Sequence, residues 1–174
     1  LIVIECPYVG DLLEAIEFDT IYHEHLSYIS LQAVAYWLEH SPFHLHSVEK
    51  FPIHGGAMVM MLRRNDCGIE PDISVADALL AEKVGLKEWR DFSYNAWLKV
   101  DEVRNLIRRK IAEKKSVCGF GASAKSTVWI NACGLSHQEL AFITDSTPLK
   151  WGTVSPGTHI PIVPEAELAN AQRK

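Results

Sequence analysis

One short motif constrains the fold of this chain more than any other feature, the run GFGASA at Gly119–Ala124. It matches the pattern G-x-G-x-x-G/A, follows the apolar run SVCGF and opens the segment TVWINACG. A second apolar run, LAFITD, ends at Asp145. Strand, glycine-rich turn, helix and strand within about 30 residues predict a βαβ unit, because a strand that returns parallel to its neighbour needs a crossover helix.

The turn itself predicts an anion site at the start of the helix. Gly119 permits the tight turn, Gly121 lets a phosphate approach the backbone, and the helix N-terminus supplies N–H groups and partial positive charge. Asp145 stands where the acid of a Rossmann fold holds a ribose hydroxyl. NAD, S-adenosylmethionine, coenzyme A and a sugar nucleotide all fit the motif, and a turn that serves only helix–strand packing is the alternative. The candidate substrate-binding residues of this unit are Gly119, Gly121, Ala122, Ser123, Lys125 and Asp145.

The rest of the chain predicts further strands and helices around this unit. The apolar run at 1–5 is typical of a buried parallel strand, here one whose partners are missing. Ser30 is expected to cap the helix that begins after it. Apolar residues spaced three and four apart between 87 and 115 predict a long helix, which pairs with a helix over 73–85. The expected fold class is therefore α/β, a Rossmann-like parallel sheet with flanking helices and a long helical hairpin.

Composition narrows the class of protein. The 174 residues carry a formal net charge of −5, which disfavours a nucleic-acid binder that works by bulk phosphate attraction. No apolar run approaches the roughly 20 residues needed to span a bilayer, and no basic segment resembles a signal peptide. The four cysteines form no CxxC pair and are interpreted as reduced, mostly buried thiols. We therefore expect a cytoplasmic protein without nucleic-acid or membrane partners.

Four polar side chains in a row, Tyr22 to His25, predict a site of proton transfer. A neutral His with a pKa near ~6.5 is the usual general base, a neighbouring Glu can orient it, and a Tyr hydroxyl can donate to a developing oxyanion. In an extended segment His23 and His25 would point to one side, and Tyr22 and Glu24 to the other. His-x-His is also a metal-ligand spacing, which recurs at 44–46, but no third ligand can be placed and no metal is expected.

Two further segments carry polar residues that could bind a ligand. His54–Gly55–Gly56 lies between two β-like runs and predicts a hairpin turn, in which His54 is a site residue or a structural one. The loop from Asp145 to Pro161 follows a strand at the edge where open α/β sheets bind ligands. Lys150 and His159 could reach a phosphate or a sugar there, and a solvated lysine and a turn histidine are the alternatives.

Five segments together resemble the S-adenosylmethionine-dependent sugar C-methyltransferases of deoxysugar biosynthesis, which methylate a carbon of a nucleotide-linked 4-keto-sugar. In chain order the segments are EFDTIYHEHLSYISL, FPIHGGAM, GFGASAKS, NACG and TDSTPLKWGTVSPGTHIPIVP. The resemblance covers about Ile4 to Pro164, nearly the whole chain. Members often have Gly where this chain has Ser126, Ser in place of Ala57 and a basic residue in place of Thr153.

The resemblance implies that a zinc-binding lobe and an S-adenosylmethionine-binding domain precede this region. S-adenosylmethionine would be bound mainly by that missing part, so we expect this fragment to be inactive alone. The fragment itself would bind a nucleotide-linked sugar, dTDP-linked by expectation. The resemblance implies four segments. They are the last strand of the S-adenosylmethionine-binding domain with the active-site loop (1–30), a connecting helix and β-hairpin (31–66), a helical hairpin (67–115) and a Rossmann-like nucleotide-sugar-binding region (116–174).

By the same resemblance, His25 matches the family's base, and Tyr22 and Glu24 match its active-site Tyr and Glu. His25 would remove an acidified proton beside the ketone, Tyr22 would stabilise the enolate, and Glu24 would position His25 or hold a sugar hydroxyl. Two other interpretations stay open. One is an NAD-dependent sugar-nucleotide oxidoreductase or a nucleotide-binding regulatory domain, and the other is a non-enzymatic interaction module.

Overall fold

The structure is a computed structural model that describes residues 1–52 and 56–171, apart from the side chains of residues 170 and 171. It divides the chain into two compact units. The first contains Leu1–Phe18 and His25–Asn95, and the second contains Asp19–Glu24 and Ala96–Lys174. The predicted division into four segments stays a prediction.

The first unit contains a three-stranded antiparallel sheet. Its strands are β1 (Ile2–Pro7), β2 (Phe43–Phe51) and β3 (Ala57–Arg64), in the order β1–β3–β2. β2 and β3 form the predicted hairpin, since they pair antiparallel up to the ends that face the turn. The predicted turn residue His54 lies outside the described residues.

The strand predicted at residues 1–5 is confirmed, but its partner among the described strands is antiparallel and not parallel. β1 runs antiparallel to β3, and among the described strands it is an outer strand of the sheet. Ile2 and Val3 are 40% and 57% exposed. An apolar run indicates a strand, but the direction of its neighbour depends on a partner distant in the sequence, which the run does not encode.

Three helices complete the first unit: α1 (Val9–Ala15), α2 (Leu31–Leu38) and α3 (Ile73–Ala81). Ser30 caps α2 as predicted, because its hydroxyl oxygen accepts the N–H of Ala33 at 3.1 Å. α2 and α3 both pack on β2. The resulting core is apolar and consists of Tyr8, Leu31, Leu38, Leu45, Val48, Met58, Met60, Leu62 and Val75.

Helix α4 (Leu86–Ala112) begins in the first unit and ends in the second. The predicted apolar stripe is confirmed at its centre, where Phe92, Ala96 and Val100 are buried. The predicted pairing of α3 and α4 into a hairpin is not confirmed, since α3 packs on β2 and α2. Among the described residues, no helix combines the length and the apolar character that a membrane crossing requires.

The second unit contains a parallel three-stranded sheet, as the glycine-rich motif predicts. The strands β4 (Gly119–Phe120), β5 (Ile143–Asp145) and β6 (Ile162–Pro164) pair in this order. Helix α5 (Ala124–Ala132) connects β4 to β5, and α6 (Glu167–Ala171) follows β6. The strands are short, with two or three residues each, and a Rossmann-like arrangement beyond this parallel sheet stays a prediction.

Helix α5 is anchored at its C-terminal end by a side chain of α4. The Arg104 guanidinium donates to the carbonyl oxygens of Cys133 at 2.9 Å and Ala132 at 3.1 Å. The last carbonyls of a helix lack intrahelical partners and carry partial negative charge, so a cation stabilises them. Gly134 then ends the helix with a φ of 61°, as the sequence predicts.

The four cysteines are free thiols, but the expectation that most of them are buried is wrong. Cys133 is buried, Cys6 and Cys118 are half-buried, and Cys67 is exposed. Burial raises the pKa of the Cys133 thiol above its ordinary value, which keeps this sulfur protonated at neutral pH. The apolar residues around Cys6 and Cys118 in the sequence did not suffice to bury them.

Candidate functional site

The two glycines of the loop between β4 and α5 serve different local needs. Gly121 has a φ of 87°, which side chains disfavour, and its N–H donates to the Thr144 carbonyl at 2.7 Å. Gly119 has little space beside it, because a Cβ there would lie 3.0 Å from a side-chain carbon of Ile143. Both glycines therefore allow the loop to pack closely on β5, which is compatible with the anion site and with the packing alternative.

Asp145 organises the loop through its carboxylate. One oxygen accepts the N–H of Ala122 at 2.8 Å and the Lys150 ammonium at 3.0 Å, and the other accepts the N–H of Thr147 at 2.8 Å. The carboxylate is 8% exposed. The Thr147 N–H, followed by Lys150, holds the pKa of the Asp145 carboxyl well below its usual range. The Asp145 carboxyl is thus ionised and already accepts hydrogen bonds from three donors.

Lys150 is also engaged within the loop. Its ammonium donates to the Ala122 carbonyl at 2.9 Å in addition to the Asp145 carboxylate. Lys150 and Asp145 together hold both the N–H and the C=O of Ala122, which fixes the backbone just before α5. Both side chains thus support the loop, and their predicted role in substrate binding stays a prediction.

The first turn of α5 and the adjoining Gly121 form the accessible part of the candidate anion site. Ser123 caps the helix, since its hydroxyl oxygen accepts the N–H of Ser126 at 3.1 Å. The first N–H groups of a helix have no intrahelical partner and attract anions. Apart from Gly121 and its two chain neighbours, no described residue has an atom within 4 Å of the position that a Cβ on Gly121 would take. The loop surface at Gly121 is therefore accessible to a ligand.

The loop that follows β5 is held by its own hydrogen bonds. The Trp151 indole N–H donates to the Asp145 carbonyl at 2.7 Å, and the buried Ser155 hydroxyl oxygen accepts the N–H of Ile160 at 3.0 Å. His159 is exposed, has a φ of 55° and donates its backbone N–H to the Ser155 carbonyl. The imidazole of His159 is thus presented by an ordered turn, and its role in substrate binding stays a prediction.

The segment from Tyr22 to Glu24 forms a turn in the second unit. A 3-10 helix (Phe18–Thr20) precedes it, and the Tyr22 N–H donates to the Thr20 carbonyl at 3.0 Å. Tyr22 is half-buried, and the centre of its ring lies 6.3 Å from the centre of the imidazole ring of the exposed His23. These residues form a turn and not an extended segment, so side chains are not expected to alternate between two sides here.

His25 is half-buried and is assigned to the first unit, whereas Tyr22 and Glu24 are assigned to the second. Four residues after His25, Ile29 is held to the first unit. Its carbonyl accepts the Val9 N–H at 3.1 Å, and it forms an isolated parallel β-bridge with Tyr8. The catalytic roles of Tyr22, Glu24 and His25 stay predictions.

Sequence inspection missed the residue that connects this turn to helix α5. The Asp19 carboxylate accepts the Trp129 indole N–H at 3.1 Å, and its other oxygen lies 4.0 Å from the Lys125 ammonium. Trp129 and Lys125 are both on α5, the helix that the loop opens. Asp19 lies three residues before Tyr22, within the segment EFDTIYHEHLSYISL that carries the family resemblance, and this position was its sequence signal.

The first unit has a cavity of about 540 Å³ near the end of β1, which contains none of the predicted site residues. Tyr8, Asp11 and Lys50 lie in its wall, with the Lys50 ammonium 2.6 Å from Asp11 and 4.4 Å from the centre of the Tyr8 ring. In the described part of the chain, no group of three or more His, Cys, Asp or Glu side chains could hold a metal ion.

The parallel sheet, the glycine-rich loop and the adjoining polar turn define an α/β protein with a candidate anion site. Comparison with protein families identifies it further: residues 52–174 match the model of the C-methyltransferase C-terminal domain. The chain belongs to this family, and the resemblance to C-methyltransferases is thereby confirmed.

A curated relative supports the same assignment. The chain is 36% identical over 166 residues to the C-methyltransferase NovU of Streptomyces niveus. The aligned region is 93% of this chain and 40% of NovU, so the chain spans about two fifths of the length of that relative.

Proposed function

We propose that this chain forms the substrate-binding and proton-abstracting part of an S-adenosylmethionine-dependent C-methyltransferase that acts on a nucleotide-linked keto-deoxysugar. The observation that carries the proposal lies in the second unit. There the turn at Tyr22–Glu24 and the open start of α5 belong to one compact unit, and Asp19 bonds to α5. Family membership and the similarity to NovU support the reaction class.

The nucleotide end of the substrate is assigned to the glycine-rich loop. A diphosphate suits the first turn of α5, where helix N–H groups and the half-exposed Lys125 supply positive charge. His159 is the second candidate contact on the neighbouring loop. Asp145 and Lys150 contribute indirectly by supporting the loop, because their side chains already bond to the backbone of Ala122.

The loop fits a dinucleotide or S-adenosylmethionine less well than it fits a nucleoside diphosphate. Those ligands call for an acid that is free to accept ribose hydroxyls, and the Asp145 carboxylate already accepts three donors and is buried. We therefore place S-adenosylmethionine outside this chain, which leaves Lys125 and the helix start for the sugar nucleotide. When bound, S-adenosylmethionine supplies the methyl group.

The residues of the His-rich segment provide the acid–base chemistry. A proton on the carbon next to a ketone is acidified, and His25 removes it to leave an enolate. Tyr22 donates a hydrogen bond to the enolate oxygen, and Glu24 orients His25 or holds a sugar hydroxyl. S-adenosylmethionine would supply the methyl group: the enolate carbon would gain the bond to it as the methyl–sulfur bond breaks, and S-adenosylhomocysteine would leave with that electron pair. His25 would keep the proton until solvent accepts it.

Ligand binding to this chain tests the nucleotide assignment. A thermal-shift panel would contain dTDP, UDP, GDP, CDP, NAD and S-adenosylmethionine. A ligand at a hundred times its Kd adds about 2.7 kcal/mol to the folded state. We expect a nucleoside diphosphate, dTDP above the others, to stabilise the chain and S-adenosylmethionine to leave it unchanged.

A pair of lysine variants sharpens the same experiment. Lys125→Ala should reduce the shift produced by the nucleoside diphosphate, whereas Lys115→Ala, an exposed lysine paired with Glu113, should not. Stabilisation by NAD alone would instead identify a dinucleotide site and favour the oxidoreductase. No shift with any nucleotide would favour an interaction module.

A further inference from the structure

The geometry points to Asp19 as a positioning residue that holds the turn at Tyr22–Glu24 in register with helix α5. The inference rests on the proposed function, because it assigns the substrate's nucleotide to the start of that helix. Asp19 itself is not placed in contact with substrate. Its carboxylate is 22% exposed and faces two side chains of α5.

The contacts of Asp19 divide between its two oxygens. One accepts the Trp129 indole N–H at 3.1 Å, and the other lies 4.0 Å from the Lys125 ammonium. Trp129 and Lys125 are four residues apart, so they lie on the same side of the helix, one turn from each other. A single carboxylate therefore spans one full turn of α5.

Helix α5 is a suitable anchor because both of its ends are fixed. Ser123 caps the N-terminus, and Arg104 binds the carbonyls at the C-terminus. A site is held accurately when its supporting side chains attach to a rigid element. Asp19 lies in the 3-10 helix, and Thr20 at its end accepts the Tyr22 N–H at 3.0 Å. Few bonds separate the anchored carboxylate from the Tyr22 side chain.

This linkage predicts that Asp19 affects turnover more than binding. A displacement of about 1 Å in a catalytic group can cost on the order of 10²-fold in rate, while ligand contacts elsewhere remain. In Asp19→Ala both contacts are lost. In Asp19→Asn an oxygen remains for the Trp129 indole, so most of the positioning should return.

The test uses the full-length protein that contains this chain, with methyl transfer to the nucleotide-linked keto-sugar as the assay. We expect Asp19→Ala to lower kcat by about tenfold or more while KM for the sugar nucleotide changes by less than about threefold. Trp129→Phe should give the same pattern, and the double variant should be no worse than either single variant. Asp19→Asn should recover kcat to within about threefold of the unmodified enzyme.

Glu113→Ala is the matched control, since Glu113 also pairs with basic side chains of the second unit, Lys110 and Lys115, which lie outside α5. It should leave kcat unchanged. An unchanged kcat in Asp19→Ala, or a loss in Asp19→Ala that Asp19→Asn does not recover, overturns the positioning role. If Asp19→Ala does not fold, Trp129→Phe decides: a lowered kcat at constant KM supports the role, and an unchanged kcat overturns it.

A second measurement, proton exchange, distinguishes failure of the positioning role of Asp19 from failure of the proposed function. Without S-adenosylmethionine, the enzyme in deuterated water should exchange the proton beside the ketone, and Asp19→Ala should slow this exchange. If the unmodified enzyme neither exchanges this proton nor transfers a methyl group, the proposed function fails and the inference falls with it. If the unmodified enzyme does both and Asp19→Ala does both equally fast, only the role of Asp19 fails.

Discussion

The Glu82 carboxylate accepts the backbone N–H of Leu31 at 2.6 Å, and its second oxygen accepts the N–H of Gln32 at 2.8 Å. A buried acid that follows α3 thus caps the start of α2, 51 residues earlier in the chain. The Tyr8 hydroxyl also bonds to Glu82, and burial followed by this carboxylate raises the pKa of Tyr8 above its ordinary value. Glu82 therefore links α2, α3 and the end of β1.

Glu82→Gln should destabilise the protein, because one amide oxygen replaces two carboxylate oxygens and the favourable charge at the N-terminus of α2 is lost. We expect a loss of about 1–3 kcal/mol in the free energy of unfolding, measured in urea. Glu49→Gln, an exposed Glu on β2, removes the same charge and should change stability by less than about 0.5 kcal/mol. Equal stability of the two variants would contradict the importance of this cap.

Asp145 should make stability depend on pH in the acidic range. Its pKa is held below its ordinary value in the folded chain, by the Thr147 N–H first and by Lys150 next, whereas an unfolded carboxyl titrates near ~3.9. The unfolded state then binds more protons, so this contribution is present above about pH 5 and is lost as the pH falls below ~4. Asp145→Asn should be less stable at neutral pH and should flatten the slope between about pH 5 and pH 2.

The control for this prediction is Asp77→Asn, which removes the same charge from an exposed position on α3. Urea unfolding of both variants across the acidic range gives the comparison. A slope in Asp145→Asn as steep as in the unmodified chain would show that another carboxylate causes the acid sensitivity.

Gly119→Ala should destabilise the second unit because its Cβ meets Ile143, a side chain that is 1% exposed. Overpacking of this kind costs about 1–3 kcal/mol. The cost should fall when Ile143→Ala removes the facing carbons, so the two substitutions should couple favourably in a double-mutant cycle of unfolding free energies. Additive effects would show that the backbone, rather than the space beside Ile143, requires glycine here.

His25→Asn in the full-length protein should lower methyl transfer by about 10²–10⁴-fold, because it removes the proposed general base. Circular dichroism and thermal midpoint should stay close to those of the unmodified protein. His23→Asn changes an exposed imidazole of the same segment and should retain most of the activity. Loss of activity in His23→Asn alone would assign proton abstraction to the neighbouring histidine.

Elements whose signals are local could be predicted from the sequence. Ser30 begins α2 because its hydroxyl reaches an N–H three residues later, and Gly134 ends α5 because a glycine tolerates a positive φ. The parallel sheet followed from a glycine-rich turn between two apolar runs. Each of these features depends on residues that are close in the sequence, so their chemistry alone determines the local structure.

Tertiary structure decided the features that depend on distant partners. β1 is antiparallel because it pairs with β3, and Asp145 supports the loop because its carboxylate meets Ala122, 23 residues earlier. The bond between Asp19 and Trp129 spans 110 residues. No local pattern encodes such contacts, since they arise only when packing of the core brings separate segments together. The sequence by itself thus determined local caps, turns and the candidate site residues, and tertiary packing decided which of their side chains bond to one another.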